Sequence, residues 1–318
     1  MITIYYLGID LGGTNIKAGI VDKDYNIIGR SSLKTKCPRP AAEIAQDMAR
    51  AASLAAANAG VRLQDIKSAG FGSPGMVDRE NGVIEFSGNL GFKNTPLAGM
   101  LRELLGFPVS CVNDADAAAY GEFIAGAGKG CRSFLAITLG TGVGSGIIVD
   151  GRLLSGYNNA VGEMGHMVIV EGGEPCTCGR RGCFEAYASA TALIRQTREE
   201  MKRHPESIMW ELTGGIDSVS GKTAFEALRR GDEAGRAVVE QYVRYIACGV
   251  TNAVNIFQPE IVCIGGGICN EEERYLMDPL REIVLREQFG GRKEKEPKIC
   301  RARLGNDAGM IGAAFLGA

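Results

Sequence analysis

The chain has 318 residues, 45% of them hydrophobic and 23% charged, and its formal net charge at pH 7 is −2. This composition is typical of a soluble globular protein with two domains or lobes, and the lack of a basic stripe argues against nucleic acid or an anionic membrane as a partner. The sequence has no apolar run of membrane-spanning length and no basic N-terminal segment, which argues against a transmembrane helix and a signal peptide.

The first predicted element is the strand "YYLGID", followed by a glycine turn and a second strand, "IKAGIVD". Backbone N–H groups beside glycines can approach an anion closely, so the turn "DLGGTNIK" predicts a phosphate site, although its spacing matches neither a Walker A loop nor a dinucleotide fingerprint. The residues assigned to the phosphates are Asp10, Gly12, Gly13, Thr14, Asn15 and Lys17. Asp10, at the end of the strand, is also assigned to a hydrated Mg²⁺ beside the phosphates.

Three elements follow before the middle of the chain. Residues 41–59 predict an alanine-rich helix, with Ile44, Met48 and Leu54 near helical spacing, and "IKSAGFGSPGMVD" predicts a strand that runs into a Gly-Pro loop. "FPVSCVNDADAAAYGEFIAG" predicts a strand and then a helix with its N-terminal cap at Asn113-Asp114. In this stretch, Asp114 is either a helix cap or a carboxylate that projects from the junction and accepts a hydroxyl proton.

The hairpin pattern of the N-terminus returns in "FLAITLGTGVGSGIIVD". With an offset of 128 residues, seven of the sixteen positions from Leu7 to Asp22 are identical to those from Leu135 to Asp150. We interpret this as a duplicated lobe, each half opening with a glycine-turned hairpin. The second hairpin therefore predicts further phosphate contacts, which are Thr138, Gly140, Thr141 and Gly142.

A cluster of cysteines follows in "EPCTCGRRGCFEA". Cys176, Cys178 and Cys183, with His166 upstream, offer one nitrogen and three sulfur ligands, which suits a tetrahedral structural Zn²⁺ site with all four positions filled. Gly179 and Gly182 would permit the tight loop that such a site requires. A redox pair is less consistent with the sequence because C-x-x-C is absent, and unligated thiols are the remaining alternative.

The C-terminal third is predicted to be mainly helical, from "MKRHPESIMWELTGGID" to "GVTNAVNIF". A buried strand, "EIVCIGGGI", then ends in Gly265, Gly266 and Gly267, which are either phosphate contacts or a plain strand-to-helix turn, and "RARLGNDAGMIGAAFLGA" ends in a helix of small residues. Strands that alternate with helices indicate an α/β protein. The other cysteines are scattered, as expected of reduced thiols in a cytoplasmic protein.

The two hairpins and the duplicated lobe resemble the superfamily of sugar kinases, heat-shock ATPases and actin. The stretch "ITLGTGVGSGIIVDGRLLSGYNNAVGEMGH" is similar to the signature of the ROK family, which contains sugar kinases and sugar-responsive repressors. The resemblance implies an α/β, two-lobed actin-like ATPase fold (ribonuclease H-like, duplicated) with a deep interlobe cleft. We expect a small lobe over residues 1–115, joined by the C-terminal helix 302–318, and a large lobe over residues 116–301 that carries the zinc-binding loop.

The resemblance also implies roles for individual residues. It makes Asp114 the general base, leaves the nearby Asp116 without that role, and makes the cysteine loop with the upstream Glu-x-x-His a zinc site. The residues that it assigns to the sugar are Gly75, Asn89, Asn113, Asp114, Glu163, His166 and Glu185. Phe92 is a small departure from the pattern, since many relatives have Trp there, and it leaves the identity of the sugar open.

The function implied is an ATP-dependent hexose kinase that uses Mg²⁺ and phosphorylates the 6-hydroxyl group of glucose. Fructokinase, mannokinase and N-acylhexosamine kinase are alternatives within the family, and a homodimer is the family expectation. A sugar-sensing repressor would need an N-terminal helix-turn-helix domain, for which the early position of the first hairpin leaves no room. A non-catalytic sugar-binding protein is the third reading.

Overall fold

The computed structural model describes residues 4–290 and 293–317, and helices alternate with strands along the chain as the sequence predicts. The strands are β1 (Tyr5–Leu11), β2 (Asn15–Asp22), β3 (Ile27–Lys34), β4 (Ile66–Ser73), β5 (Met76–Asp78), β6 (Val83–Ser87), β7 (Phe92–Thr95), β8 (Val109–Asn113), β9 (Phe134–Leu139), β10 (Val143–Val149), β11 (Arg152–Leu153), β12 (Ile261–Gly265) and β13 (Lys298–Arg301). The helices are α1 (Ala41–Ala59), α2 (Leu97–Leu105), α3 (Asp114–Ala125), α4 (Glu185–Ala188), α5 (Ala190–Arg203), α6 (Met209–Thr213), α7 (Thr223–Arg229), α8 (Glu233–Phe257), α9 (Met277–Glu287) and α10 (Ala308–Leu316). Among the helices of the described ranges, none combines the length and the apolar content that crossing a membrane requires.

The two large sheets have the same strand order. The first is β3-β2-β1-β4-β8 and the second is β11-β10-β9-β12-β13, with five strands each. In the first sheet β1 and β2 form an antiparallel hairpin while β4 lies parallel to β1 and β8, and in the second β12 lies parallel to β9 and β13. This common topology agrees with the duplication inferred from the repeat. A third sheet, β5-β6-β7, was not predicted.

The chain divides into two compact units. The first contains Met1–Arg132, Gly146–Gly162 and Arg303–Ala318, and the second contains Ser133–Ser145 and Glu163–Ala302. The first unit therefore continues past residue 115, because α3 packs against α10 and both helices belong to it.

Helix α1 covers residues 41–59, as its sequence predicts. Ile44 and Met48 are fully buried in the core of the first unit, whereas Leu54 is 41% exposed. The buried stripe is completed by small residues instead, which are Ala45, Ala51, Ala52, Ala55 and Ala56. The helix ends at Gly60, whose left-handed conformation (φ 67°) allows its N–H to bond to the last turn.

Small residues bring α10 unusually close to its neighbours in the first unit. A Cβ atom at Gly8 in β1 or Gly70 in β4 would overlap backbone oxygens of α10. In the same way, a Cβ atom at Gly312 in α10 would overlap the carbonyl oxygen of Ala117 in α3. Since backbones can approach this closely only where side chains are missing, these glycines fix the position of α10 between the sheet and α3.

Replacing Gly312 should therefore destabilise the protein. We expect Gly312→Ala to lower the free energy of unfolding by about 1–3 kcal/mol, because the added methyl group must displace α10 from α3. The control is Gly309→Ala in the same helix, where an added Cβ would have no neighbour within 4 Å. That variant should gain about 0.5–1 kcal/mol from helix propensity. Urea denaturation measures both, and equal stability of the two variants would contradict the close approach.

Candidate functional site

The first predicted phosphate hairpin is held at two points. At its base, Asp10 in β1 faces Lys17 in β2, and the Lys17 Nζ atom lies 3.3 Å from Asp10 Oδ2. At its tip, the fully buried Thr35 donates its hydroxyl to the Gly12 carbonyl (2.6 Å) and its N–H to the Thr14 carbonyl (2.9 Å). The sequence carried no signal for Thr35, because a threonine beyond the end of a strand is common.

Gly13, at the tip of this hairpin, would tolerate a side-chain Cβ atom. A Cβ atom at Gly13 would lie 3.6 Å from the Asn89 Cβ atom, an ordinary van der Waals separation. Packing within the protein therefore does not explain the glycine, whereas close approach of a phosphate would. The same contact brings Asn89, a predicted sugar residue, beside the phosphate hairpin.

Asn113 joins the end of β8 to the start of α3. Its Oδ1 atom accepts the N–H of Ala115 at 2.8 Å, which makes it the N-cap of α3, and its Nδ2 atom donates to the Gly75 carbonyl at 3.0 Å. Gly75 has φ 103°, and a Cβ atom there would overlap the carbonyl oxygen of Phe86. The Asn113 amide thus connects the Gly-Pro loop to the helix, and Asn89 lies in the turn that follows β6.

The two acidic residues of α3 differ in accessibility. Asp114 is exposed at the first helical position, where its Oδ1 atom accepts the N–H of Ala115 at 2.9 Å, and Asp116 is only 8% exposed. Because Asn113 is the cap, the capping alternative for Asp114 loses its support. A helix N-terminus favours a negatively charged group, and an exposed carboxylate there is accessible to a substrate.

The second predicted phosphate hairpin is held by the segment that follows the cysteine loop. The N–H of Ala190 donates to the Gly140 carbonyl and the hydroxyl of Thr191 donates to the Thr141 carbonyl, each at 2.8 Å. Within the hairpin, the Gly140 N–H donates to the Gly142 carbonyl at 2.9 Å. Sequence reasoning missed Ala190 and Thr191, which lie about fifty residues downstream of their partners.

Glu185 lies between this hairpin and the cysteine loop. Its Oε2 atom accepts the N–H of Val143 at 3.0 Å and occupies the space that a Cβ atom at Gly142 would need. Its Oε1 atom accepts the hydroxyl of Thr177 at 3.3 Å. The residue predicted as a sugar contact therefore also bonds to the second phosphate hairpin.

The three glycines at the end of β12 and just beyond it differ in their surroundings. Gly266 has φ 97°, and a Cβ atom there would overlap the carbonyl oxygen of Leu139. Packing against Leu139 is therefore enough to explain a glycine at position 266, which is what the interpretation as a plain turn would expect. A Cβ atom at Gly267 would have no neighbour within 4 Å, and one at Gly265 would lie 3.4 Å from Ala302 Cβ. The phosphate contacts assigned to Gly265, Gly266 and Gly267 remain predictions.

The four predicted metal ligands form a cluster in which all ligand atoms lie within 4.8 Å of one another. The His166 Nδ1 atom is 3.5 Å from Cys176 Sγ, and the sulfurs of Cys178 and Cys183 are 3.7 Å apart. In a tetrahedron with zinc–sulfur bonds of ~2.3 Å and zinc–nitrogen bonds of ~2.0–2.1 Å, the corresponding separations are ~3.6 and ~3.8 Å. The donor set and its spacing therefore fit zinc.

The loop around the cluster requires its glycines. Gly182 has φ 82°, and a Cβ atom there would overlap the Val170 carbonyl oxygen. Gly179 also has a left-handed conformation, with φ 87°. Burial raises the pKa of Cys183 to about 12, so metal binding must displace a proton from its thiol and should strengthen as pH rises.

The two ring nitrogens of His166 face different groups. While Nδ1 faces the sulfurs, Nε2 lies 3.9 Å from the Glu163 carboxylate. A metal bound at Nδ1 would leave the proton on Nε2, which then points toward Glu163 as a donor. The chain's other histidine, His204, lies 2.9 Å from Glu206 instead.

Comparison with known proteins shows a match to the ROK family over residues 6–318. The glucokinase of Thermotoga maritima is 37% identical over 314 residues, which cover 98% of this chain and 96% of the relative. The N-acetylmannosamine kinase of Salmonella typhi is 32% identical over 98% of this chain and 97% of its own. The ROK family glucokinase of Streptomyces griseus, solved in complex with glucose and AMPPNP, has a TM-score of 0.82 and 34% identity, covering 98% of this chain and 99% of that one. These matches confirm the predicted fold class.

The clamp formed by Thr35 can be tested by nucleotide binding. In Thr35→Val the Gly12 carbonyl loses its hydroxyl partner, so we expect the Kd for ADP to rise about three- to tenfold by isothermal titration calorimetry. Thr213→Val is the control, because it also removes a hydroxyl-to-carbonyl bond (to Met209, 2.9 Å) but lies in α6. An unchanged Kd in Thr35→Val would show that the clamp does not shape the phosphate site.

Proposed function

The chain belongs to the ROK family, and from this we propose that it is an ATP-dependent glucokinase, transferring a phosphoryl group from Mg-ATP to the 6-hydroxyl group of glucose. Glucokinases resemble it over nearly their full length. The observation that carries the proposal is the exposed carboxylate of Asp114, presented at the start of α3 by the Asn113 cap.

Asp114 is the proposed general base. As the sugar hydroxyl attacks the γ-phosphorus of ATP, its proton passes to the Asp114 carboxylate. Asn113 fixes the helix start and the carbonyl of Gly75, so the base lies on a rigid junction, as a well-oriented reaction requires. The second N–H of the Asn113 amide could donate to a sugar oxygen.

We assign the nucleotide phosphates to the two hairpins. Mg²⁺ bound to ATP offsets the negative charge of the phosphates during transfer. Asp10 is the residue that would hold this hydrated ion, and Lys17, 3.3 Å away, keeps the carboxylate in place. Packing within the protein does not require a glycine at position 13, and this supports close approach of a phosphate to the backbone of the first hairpin.

The sugar contacts proposed from the family resemblance are Gly75, Asn89, Asn113, Asp114, Glu163, His166 and Glu185. Phe92 stands where many relatives have Trp, and it is only 5% exposed in the core of the first unit. The replacement therefore acts on the packing behind the sugar loop. An N-acetylhexosamine is the second candidate substrate, since the N-acetylmannosamine kinase also matches along nearly the whole chain.

We also propose that the cluster of His166, Cys176, Cys178 and Cys183 holds a structural zinc ion. With four protein ligands the ion has no open position, so its role is to shape the loop and to orient His166 and Glu163. The deep cleft and lobe boundaries, the homodimer and the cytoplasmic location remain predictions.

The substrate and the base can be tested in one assay of Mg²⁺-dependent ADP release from ATP. We expect the highest rate with glucose among glucose, fructose, mannose, N-acetylglucosamine and N-acetylmannosamine. Asp114→Asn should lower kcat about 10²- to 10⁴-fold because the proton acceptor is lost. Its affinity for ADP should stay near that of the wild type.

The matched variant is Asp116→Asn, which alters the buried carboxylate of the same helix. It should keep kcat within about tenfold of the wild type, since a packing change does not remove the base. High activity in Asp114→Asn combined with loss in Asp116→Asn would assign the base to Asp116. No ADP release with any sugar would contradict the kinase proposal.

The zinc assignment predicts the metal content of cysteine variants. Cys178→Ser should lose bound zinc and show a raised KM for the sugar, because three ligands hold the ion weakly and His166 loses its orientation. Cys248→Ser changes a half-buried cysteine in α8, outside the cluster, and should retain one zinc per chain. Elemental analysis decides, and equal zinc in both variants would refute the ligand set.

A further inference from the structure

Both backbone polar groups of Val143 contact residues that neighbour the metal cluster in the sequence. Its N–H donates to Glu185, which lies two residues after the ligand Cys183. Its carbonyl oxygen packs against Gly165, and a Cβ atom at Gly165 would overlap that oxygen. Gly165 directly precedes the proposed ligand His166 in the sequence. Val143 closes the second phosphate hairpin, so the end of that hairpin is positioned by residues adjacent to two metal ligands.

Glu185 completes this connection through its second oxygen. Oε1 accepts a hydrogen bond from the hydroxyl of Thr177, the residue between the proposed ligands Cys176 and Cys178. The same Oε1 atom lies 3.9 Å from Cys176 Sγ. One carboxylate therefore bonds to the metal loop through one oxygen and to the hairpin backbone through the other. A movement of the metal loop would change the position of Glu185 and with it the Val143 N–H.

We propose that Glu185 is a positioning residue that couples the metal cluster to nucleotide binding, in addition to any contact it makes with the sugar. When the four ligands surround a metal, the loop holds Glu185 against Val143 and the hairpin has its phosphate-binding shape. When the metal is absent, Glu185 loses this support and the hairpin binds nucleotide more weakly. The inference rests on the proposed function in taking the hairpin as a nucleotide phosphate site and the cysteine–histidine cluster as a zinc site.

The proposed coupling is local because the chain between the metal ligand Cys183 and Glu185 is short and well packed. Only Phe184 separates the ligand Cys183 from Glu185, and it is fully buried against α8. Shifts of Cys183 therefore pass directly to Glu185 rather than being absorbed by solvent-exposed chain. A coupling free energy between two ligands also works in both directions, so nucleotide should strengthen metal retention.

The test is a cycle of ADP affinities measured by isothermal titration calorimetry without sugar, which removes any effect of sugar contacts. We expect dialysis against a chelator to raise the Kd for ADP about five- to tenfold in the wild type. Glu185→Ala should raise the Kd about tenfold with zinc present, and metal removal should then have little further effect. Circular dichroism checks that each metal-free protein remains folded.

Thr191→Val is the matched control. It removes a different hydrogen bond to the same hairpin, the one from the Thr191 hydroxyl to the Thr141 carbonyl. That hydrogen bond does not involve the metal loop. It should weaken ADP binding but remain as sensitive to metal removal as the wild type. If metal removal weakens ADP binding equally in the wild type and Glu185→Ala, the proposed coupling is wrong.

A second variant tests the hydrogen bond from Val143 to Glu185 without removing the metal. Glu185→Gln keeps an oxygen that can accept the Val143 N–H, so its Kd for ADP should lie within about threefold of the wild type, well below that of Glu185→Ala. Equal or tighter ADP binding by Glu185→Ala would overturn the inference alone. Absence of ADP binding by the zinc-loaded wild type would overturn the proposed function as well.

Discussion

The amide side chain of Asn113 makes the pair of hydrogen bonds on which the rest of the proposed catalytic unit depends. Its oxygen caps α3, and its nitrogen holds the carbonyl of Gly75. Because the cap position is filled, the next residue, Asp114, can present its carboxylate outward. Helix α3 is in turn fixed by α10, which approaches it closely at Gly121 and Gly312. The proposed role of Asp114 thus rests on backbone packing farther along the same helix.

Much of the fold could be predicted from the sequence, because its strongest signals are local. The alanine-rich stretch over residues 41–59 gave α1 its predicted bounds, and the repeat between Leu7 and Leu135 predicted a duplicated lobe, with which the common strand order of the two large sheets agrees. The small third sheet was missed, because its strands β5, β6 and β7 are three to five residues long and lie among turn residues. Leu54 was misplaced because alanines, not large residues, fill the buried stripe of α1.

The candidate site was predicted unevenly for a related reason. Residues that stand together in a motif, such as Asp10 with Gly12 or the three cysteines, could be recognised from their spacing, and the cysteines do come together with His166. Thr35, Ala190 and Thr191 support the hairpins through single hydrogen bonds from distant parts of the chain. A bond between residues far apart in sequence leaves no local pattern.

The two hairpins are held in different ways. In the first sheet, β3 is an edge strand of eight residues, and the residue after it, Thr35, clamps the hairpin tip. Its counterpart in the second sheet, β11, has two residues and cannot reach the tip of the β9–β10 hairpin.

Backbone groups at that tip still require partners. The segment that follows Cys183 supplies them, through Glu185, Ala190 and Thr191. Glu185 begins the short helix α4 directly after the cysteine loop, whereas Ala190 and Thr191 begin α5. A four-ligand metal site would fix the start of α4 without a sheet. If the cluster holds zinc as proposed, the cysteine loop takes the place of a longer edge strand through Glu185, and this is the physical basis of the proposed coupling between metal and nucleotide.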